Sequence, residues 1–133
     1  MDILEKTERN KKFVLRYTAA LDSQEALAGF EEIMRKFTDN EGYIRTVVMV
    51  KNAFPDYSIY IEDMTAEGDF VVVHGIMRGT HKGEIFGMPA TFKKVECPIM
   101  VKYHVLNDRI LNAWPMTDNM ELFEQLGAVN KPV

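Results

Sequence analysis

The chain has 133 residues, of which 47% are hydrophobic and 27% are charged, and its formal net charge is −4. These values fit one folded domain over residues 1–133, and the acidic balance argues against a nucleic-acid-binding protein, whose surface is usually basic. No apolar run is long enough to cross a bilayer, and the charged start MDILEKTERNKK lacks the apolar core of a signal peptide, so we expect a cytoplasmic protein with no membrane segment.

Three amphipathic helices are predicted in the first part of the chain. The first covers about residues 9–21, where apolar side chains recur at helical spacing. The second follows Asp22 or Ser23, either of which is a suitable N-cap. The third is EGYIRTVVMVKNAF, in which a β-branched run lowers the helix propensity, and Pro55 ends it. The apolar positions of the first two helices include Phe13, Val14, Tyr17, Leu21, Phe30, Ile33, Met34 and Phe37.

After Pro55 the apolar period changes to two, which predicts strands. The segments are YSIYIEDM, FVVVHGIMRG, KGEIFGMPATFKK, KVECPIMVKYHVL and RILNAWPM, and a loop at residues 87–89 interrupts the third. Helices followed by strands, with a short last helix over 119–126, indicate an α+β fold. We expect three N-terminal helices packed on a curved, mixed or antiparallel sheet of about five strands, which together form a cone around a cavity.

The turn ND, between the last two predicted strands, fixes which of their side chains share a face. With the residues flanking the turn opposite each other, Val101 faces Trp114 and Tyr103 faces Asn112. These pairs belong to one continuous apolar face on which Asn112 is the one polar side chain. Continuing the same parity brings Asp118 to the end of that face.

Several short motifs follow one another between residues 53 and 127. They are AFPD at 53–56, GD at 68–69, GTHKG at 79–83, FGMPAT at 86–91, WPMTD at 114–118 and QLG at 125–127. In this order and spacing they resemble the SnoaL-like polyketide cyclases, which have the nuclear-transport-factor-2-like, or cystatin-like, cone fold. The N-terminal third of the chain resembles this family only in its helical character.

The resemblance implies an intramolecular aldol reaction that closes a ring in a polyketide ester without a metal or a cofactor. It assigns the role of general acid/base to Asp118, the last residue of WPMTD, and an assisting role to His104 on the preceding strand. The predicted register places His104 on the face opposite Trp114, and a β-bulge would reverse that parity. The fold alone does not name the reaction, because it also hosts isomerases, dehydratases, hydrolases and binding proteins.

Five further side chains are candidates for substrate binding. Trp114 would form a wall, and Asn112 or Tyr103 would donate a hydrogen bond to an enolate oxygen. Tyr17 faces inward from the first helix and is a candidate for the cavity lining. His81, in GTHKG, either contacts the substrate or hydrogen-bonds a loop near the mouth. The three histidines lack metal-site spacing and the chain has one cysteine, so no metal site is predicted.

Asp118 also has a purely structural interpretation. With Glu121 three residues later it forms a capping-box pattern for the last helix, and Asp is among the best N-cap residues. Thr117 or Asn119 can cap the helix instead, which would free Asp118 for chemistry.

The sequence therefore leaves three hypotheses about function. The first is a cofactor-free enzyme acting on a small carbonyl compound, and the second is a binding protein in which Asp118 is only a cap. The third is a dimeric interaction module whose cavity is filled by Met and Phe side chains. The strand over residues 70–77 is apolar on both faces, which suggests that the outer sheet face is also covered and fits a homodimer through the sheet.

Overall fold

The computed structural model describes residues 1–128, and the side chains of all of these except residues 24–27. Three helices, four strands and one short helix follow one another, which confirms the predicted α+β order. Their bounds are α1 Ile3–Leu21, α2 Gln24–Arg35, α3 Glu41–Ala53, β1 Ser58–Glu67, β2 Phe70–Thr80, β3 Lys94–Leu106, β4 Arg109–Thr117 and α4 Asn119–Leu126. In the described part of the chain, no helix has both the length and the apolarity that crossing a membrane requires.

The four strands form one antiparallel sheet in the order β1-β2-β3-β4. The prediction of about five strands is too high by one, because the segment around residue 87 forms a loop with a single bridge between Ile85 and Met88. Phe86 and Gly87 have φ values of 51° and 79°, and a regular strand does not accommodate this left-handed backbone. The predicted cone of helices packed on a curved sheet is otherwise confirmed.

Capping side chains set the helix ends. The first helix begins at Ile3, well before the predicted residue 9, because the side chain of Asp2 accepts a hydrogen bond from the backbone N–H of Glu5 at 2.8 Å. The third helix forms as predicted despite its β-branched run, and the side chain of Asn40 caps it by accepting from the N–H of Tyr43 at 3.0 Å. The last helix has the predicted bounds.

The core lies between the helices and one face of the sheet, which we call the inner face. Strand β3 alternates strictly between buried and exposed side chains, as its sequence predicts. Its buried side chains are Val95, Cys97, Ile99, Val101, Tyr103 and Val105. The opposite face of the sheet, which we call the outer face, carries the other side chains of β3.

The predicted register of the last hairpin is right beside the turn and wrong beyond it. Leu106 pairs with Arg109 as expected, but His104 pairs with Asn112, so that Leu111 is an extra residue in β4. This β-bulge shifts every later pair by one position.

The shift exchanges the two faces of β4. Val101 lies opposite Pro115 instead of Trp114, and Trp114 lies opposite Lys102 on the outer face. Ala113, Pro115 and Thr117 therefore belong to the inner face.

The AFPD and GTHKG motifs hold each other at one end of the sheet. Asp56 accepts hydrogen bonds from the backbone N–H and the hydroxyl of Thr80, both at 2.7 Å. The N–H of Gly83 donates to the carbonyl of Ala53 at 3.1 Å. A Cβ atom at Gly83 would lie 2.4 Å from the carbonyl oxygen of Asn52, so this close approach of two backbones requires glycine.

Replacing Asp56 with Asn should lower the free energy of unfolding by about 1 kcal/mol at neutral pH, because the amide weakens the charge-assisted bonds from Thr80. Burial raises the pKa of Asp56, but the hydrogen bonds from Thr80 outweigh it and the net pKa lies below 3.8. A carboxyl with a pKa lowered by folding stabilises the protein above its unfolded pKa, and this contribution disappears as the pH falls through the folded value. Urea unfolding should therefore show a constant difference between the two proteins down to about pH 4 and a smaller one below it. A difference that persists unchanged in strong acid would contradict this account of Asp56.

Candidate functional site

An apolar cavity of about 180 Å³ lies between α3, the loop after β2, the end of β4 and the start of α4. We call it the large chamber. Its apolar walls include Val47, Phe54, Met77, Ile85 and Leu122. Four polar side chains also line it, and these are Thr46, Tyr57, Thr117 and Asn119.

A second cavity of about 40 Å³, which we call the small chamber, adjoins the large one. The two chambers share Val47, Tyr57 and Pro115. The polar lining of the small chamber consists of Thr18, Asp22, Tyr43, Tyr57 and Tyr103. A mostly apolar cavity with a few convergent polar groups is the usual form of a small-molecule site.

Three buried tyrosines cluster beside the small chamber. The hydroxyl oxygens of Tyr17 and Tyr43 are hydrogen-bonded at 2.6 Å, and the ring of Tyr103 packs edge-on against that of Tyr17, with centroids 6.0 Å apart. Burial raises the pKa of all three well above 10, so the hydroxyls stay protonated at neutral pH. Tyr17 and Tyr103 are buried, as predicted. Tyr103 lines the small chamber, whereas Tyr17 is not among the lining residues of either chamber.

Asp118 is the N-cap of α4. Its Oδ1 accepts a hydrogen bond from the backbone N–H of Glu121 at 3.0 Å. The reciprocal half of the capping box does not form, because Glu121 accepts from Gln125 at 2.9 Å and the N–H of Asp118 donates to the carbonyl of Pro98 at 3.3 Å.

The residues on either side of Asp118, and not Asp118 itself, line the cavity. Thr117 and Asn119, which were alternatives for the capping role, line the large chamber. Asp118 is exposed and caps the helix. Its carboxylate is not among the lining groups of either chamber, although the residues on both sides of it line the large one.

His104 and Trp114 do not face the cavity. The bulge at Leu111 places Trp114 on the outer face, and the alternation of β3 places His104 there, where it stacks on Phe70 with ring centroids 4.6 Å apart. Trp114 is 44% exposed, and the ammonium of Lys102 lies 5.5 Å from its ring centroid. The prediction that Trp114 forms a wall beside Asp118 on the inner face is therefore wrong. The bulge that would bring His104 and Trp114 to one face is present, but that face points away from the chambers.

His81 is fully buried and fixes the loop between β2 and β3. Its Nδ1 accepts a hydrogen bond from the backbone N–H of Thr91 at 3.1 Å, which requires the neutral imidazole with its proton on Nε2. The backbone of His81 pairs with Phe92 and Lys93 at 2.8 and 2.9 Å. The predicted hydrogen bonding of a loop near the mouth is thus present.

Asn112 lies on the edge strand and makes local contacts. Its side-chain oxygen accepts from the backbone N–H of Ala113 at 2.9 Å and from the side chain of Asn40 at 3.3 Å. Neither chamber includes it among its lining residues. The prediction that it donates to an enolate oxygen in the cavity has no support from this position. Among the described side chains, which exclude those of residues 24–27 and 129–133, no three His, Cys, Asp or Glu residues come together in a group that could hold a metal ion.

Seven polar lining residues were not predicted from the sequence, and these are Thr18, Asp22, Tyr43, Thr46, Tyr57, Thr117 and Asn119. Thr117 and Asn119 became visible only with the correct register of β4, since the parity after the bulge places Thr117 on the inner face. Tyr57, directly after the AFPD motif, lines both chambers. The sequence analysis gives Asp22 only a possible capping role. Its position directly after the apolar face of α1 could have indicated that it lies at the edge of the cavity.

Comparison with known proteins gives a consistent result. The family model described as SnoaL-like polyketide cyclase matches residues 16–126. The fold is similar to that of AclR from Streptomyces galilaeus, at 17% identity and a TM-score of 0.79, over 96% of this chain and 86% of AclR. It is also similar to IdmH from Streptomyces antibioticus, at 25% identity and a TM-score of 0.69, over 89% of this chain and 98% of IdmH.

A third similar structure is a SnoaL-like polyketide cyclase from Agrobacterium tumefaciens, with 19% identity and a TM-score of 0.71 over 89% of this chain and 98% of that one. A search of curated proteins found no significant match. At these identities the first and third structures establish the fold alone.

The reactivity of the Cys97 thiol provides a test of the described packing of the core. Burial raises its pKa to about 11, and the charges of Asp118 and Glu121 add to the effect. The thiolate is the reactive form and the side chain is 1% exposed, so we expect the native protein to react with Ellman's reagent near pH 8 only as fast as it unfolds. Addition of denaturant should release one fast-reacting thiol per chain. A fast reaction of the native protein would mean that Cys97 is open to solvent, contrary to its described burial.

Proposed function

Because the chain belongs to the SnoaL-like polyketide cyclase family, we propose that it is a small-molecule enzyme that works by general acid/base chemistry without a cofactor. Its reaction is an aldol-type cyclisation or an isomerisation of a carbonyl compound. The observation that carries this proposal is the pair of adjoining chambers, which combine apolar walls with tyrosine hydroxyls and with the carboxylate of Asp22.

The chemistry needs few groups, and the chambers hold suitable ones. A base removes the acidic proton beside a carbonyl, a donor stabilises the enolate oxygen, and apolar walls hold the substrate in a reactive conformation. Tyr103 is the proposed donor, because it lines the small chamber and burial keeps its hydroxyl protonated by raising its pKa. Tyr17 and Tyr43, which are hydrogen-bonded to each other, pack beside it.

Asp118 is the proton-transfer group that we propose at the rim of the large chamber. Its position between two lining residues supports this role, since rotation or a bound substrate brings one carboxylate oxygen to the reacting atoms. The hydrogen bond that caps α4, from the backbone N–H of Glu121, is accepted by Oδ1 of Asp118. We assign no role in the chambers to His104 and Trp114, because both lie on the outer face.

Replacing Asp118 with Asn should separate the two roles of this residue. Asn is an equally good N-cap, so the free energy of unfolding should change by less than about 0.5 kcal/mol. Loss of the acid/base group should lower kcat by about 100-fold or more. The measurement is solvent-deuterium exchange at the activated methylene of methyl benzoylacetate, followed by proton NMR.

The matched control is Asp2→Asn, since Asp2 caps α1 by the same contact, far from the chambers. Full exchange activity in the Asp118 variant would remove Asp118 from the mechanism. If the wild-type protein does not accelerate exchange above buffer, the acid/base proposal itself is wrong.

The second candidate function is a non-catalytic small-molecule-binding protein. The observation that favours it is the cap itself, because the hydrogen bond from Glu121 gives Asp118 a structural reason to be present. Under this alternative the wild-type protein binds methyl benzoylacetate, as seen by chemical-shift changes of the lining residues, and does not exchange its protons.

We further propose that the outer face is covered by a second copy of the chain. This face carries six exposed large apolar side chains, Tyr60, Phe70, Met100, Leu106, Trp114 and Met116, between 40% and 74% exposed. A monomer rarely leaves so many apolar side chains together on one surface. The same face also carries both signs of charge, with Arg78 and Lys102 beside Glu62 and Glu96, so that two copies can be complementary to each other.

Replacing Met100 with Lys should disrupt this homodimer. Met100 lies on a central strand of the outer face, between His74 and Met116, and a lysine there brings like charges together across a two-fold axis. We expect the dissociation constant to rise about tenfold or more. Light scattering after size-exclusion chromatography should show twice the chain mass of 15.3 kDa for the wild type and a shift towards the monomer for the variant. Leu15→Lys is the control, since Leu15 is 46% exposed on α1. A monomeric wild type would contradict the proposal.

A further inference from the structure

Asp22 is a second carboxylate at the cavity, in a different environment from Asp118. It directly follows α1, at the C-cap, and its backbone N–H donates to the carbonyl of Thr18 at 3.2 Å. Its side chain lines the small chamber together with Tyr43 and Tyr57. The residue is exposed as a whole, so one side of the carboxyl borders the chamber and the other remains accessible to water.

The surroundings of Asp22 disfavour its charged form. Burial raises its pKa, and Lys51, on α3, lowers it in part. The C-terminal end of a helix is its negative end, where a carboxylate is unfavourable. Burial raises the pKa of Tyr57, which lines the same chamber, and the charge of Asp22 adds to this effect.

The charged and titratable groups around Asp22 come from each neighbouring element. Lys51 projects from α3, and burial lowers its pKa while Asp22 and Asp56 raise it. Tyr57 precedes β1, and Tyr43 and Tyr103 contribute from α3 and β3. Lys51 is therefore the cation that sets the charge balance of this edge of the small chamber.

We propose that Asp22 is a catalytic residue, which takes a proton from a carbon beside a substrate carbonyl held in the small chamber, while Tyr57 joins Tyr103 in donating a hydrogen bond to the carbonyl oxygen. This assignment rests on the proposed function and deepens it, since it divides the acid/base work: Asp22 removes the proton, and Asp118 supplies the proton that completes the reaction. Burial and the helix end both disfavour the charge of Asp22, and Lys51 offsets this only in part. Ionisable groups held in such positions are typical of functional sites.

The proposed reaction needs neither an oxidant nor a reductant. The C–H bond breaks, its proton bonds to an oxygen of Asp22, and its electron pair forms the enolate. In the closing step the enolate carbon bonds to the carbon of a second carbonyl group, whose oxygen takes a proton from Asp118, and Asp118 takes its replacement from water. Asp22 then releases its proton to water on its exposed side. For an isomerisation, Asp22 returns the proton to a different carbon.

The test uses the methyl benzoylacetate exchange assay with the full chain and the variants Asp22→Asn and Lys51→Met. We expect Asp22→Asn to lower the exchange kcat by about 100-fold or more, and to melt at the same or a higher temperature, since it removes a disfavoured charge. Lys51→Met should move the acidic limb of the pH–rate profile to higher pH, because removal of the lysine charge raises the pKa of Asp22. The control is Glu8→Gln, an exposed carboxylate on the same helix.

The outcomes separate this inference from the proposed function. If the wild type exchanges no protons above buffer, both are wrong. If the wild type is active and Asp22→Asn keeps more than half of its activity, the assignment of Asp22 is wrong and the proposed function stands. A loss of activity accompanied by a lower melting temperature, with an acidic limb that Lys51→Met does not move, would show a structural role and would also overturn the assignment.

Discussion

One extra residue in β4, Leu111, determines which side chains of that strand face the helices, and the cavity depends on it. Without the bulge, Trp114 and Met116 would point inward, and their volume would fill the space between α3 and the sheet. With it, the inward positions carry Pro115 and Thr117, which line the large chamber. The large apolar side chains of β4 move to the outer face, where they remain exposed. The same bulge therefore opens a cavity on one side of the sheet and creates an apolar surface on the other.

The motifs that carry the family resemblance have mainly structural roles in this chain. Asp56 and Thr80 tie the end of α3 to the end of β2, and Gly83 permits their backbones to approach. His81 then holds the returning part of the loop through the backbone N–H of Thr91. This loop brings Ile85 to the wall of the large chamber. The motifs thus explain the shape of the site better than they explain its chemistry, and the chemical groups come from positions outside most of them.

Much of the fold was predictable because it depends on local patterns. Alternation identified the buried face of β3, and the D-x-x-E spacing identified the cap of α4. The bulge was not predictable in this way, because the local sequence of β4 is compatible with both the regular register and the bulged one. The alternative with Trp114 inward has the more apolar inner face, so hydrophobic patterning favours the wrong one. Tertiary contacts hold the bulge itself, since the side-chain amide of Asn40 donates to the carbonyl of Leu111 at 2.9 Å and to the side-chain oxygen of Asn112 at 3.3 Å. These contacts join residues that are about seventy positions apart, and no local pattern contains them.

Asp118 and Asp22 show how the same residue type acquires opposite properties from its position. Asp118 lies at the N-terminal, positive end of α4 and accepts an N–H from it, which stabilises a carboxylate. Asp22 lies at the C-terminal, negative end of α1 beside an apolar chamber, where burial raises its pKa. A general base must hold a proton during turnover, and a carboxyl that is already disfavoured as an ion does so at lower energetic cost. On this argument the two carboxylates divide the work: Asp22 accepts the proton from carbon in the small chamber, and Asp118, between two residues that line the large chamber, supplies the proton that completes the reaction.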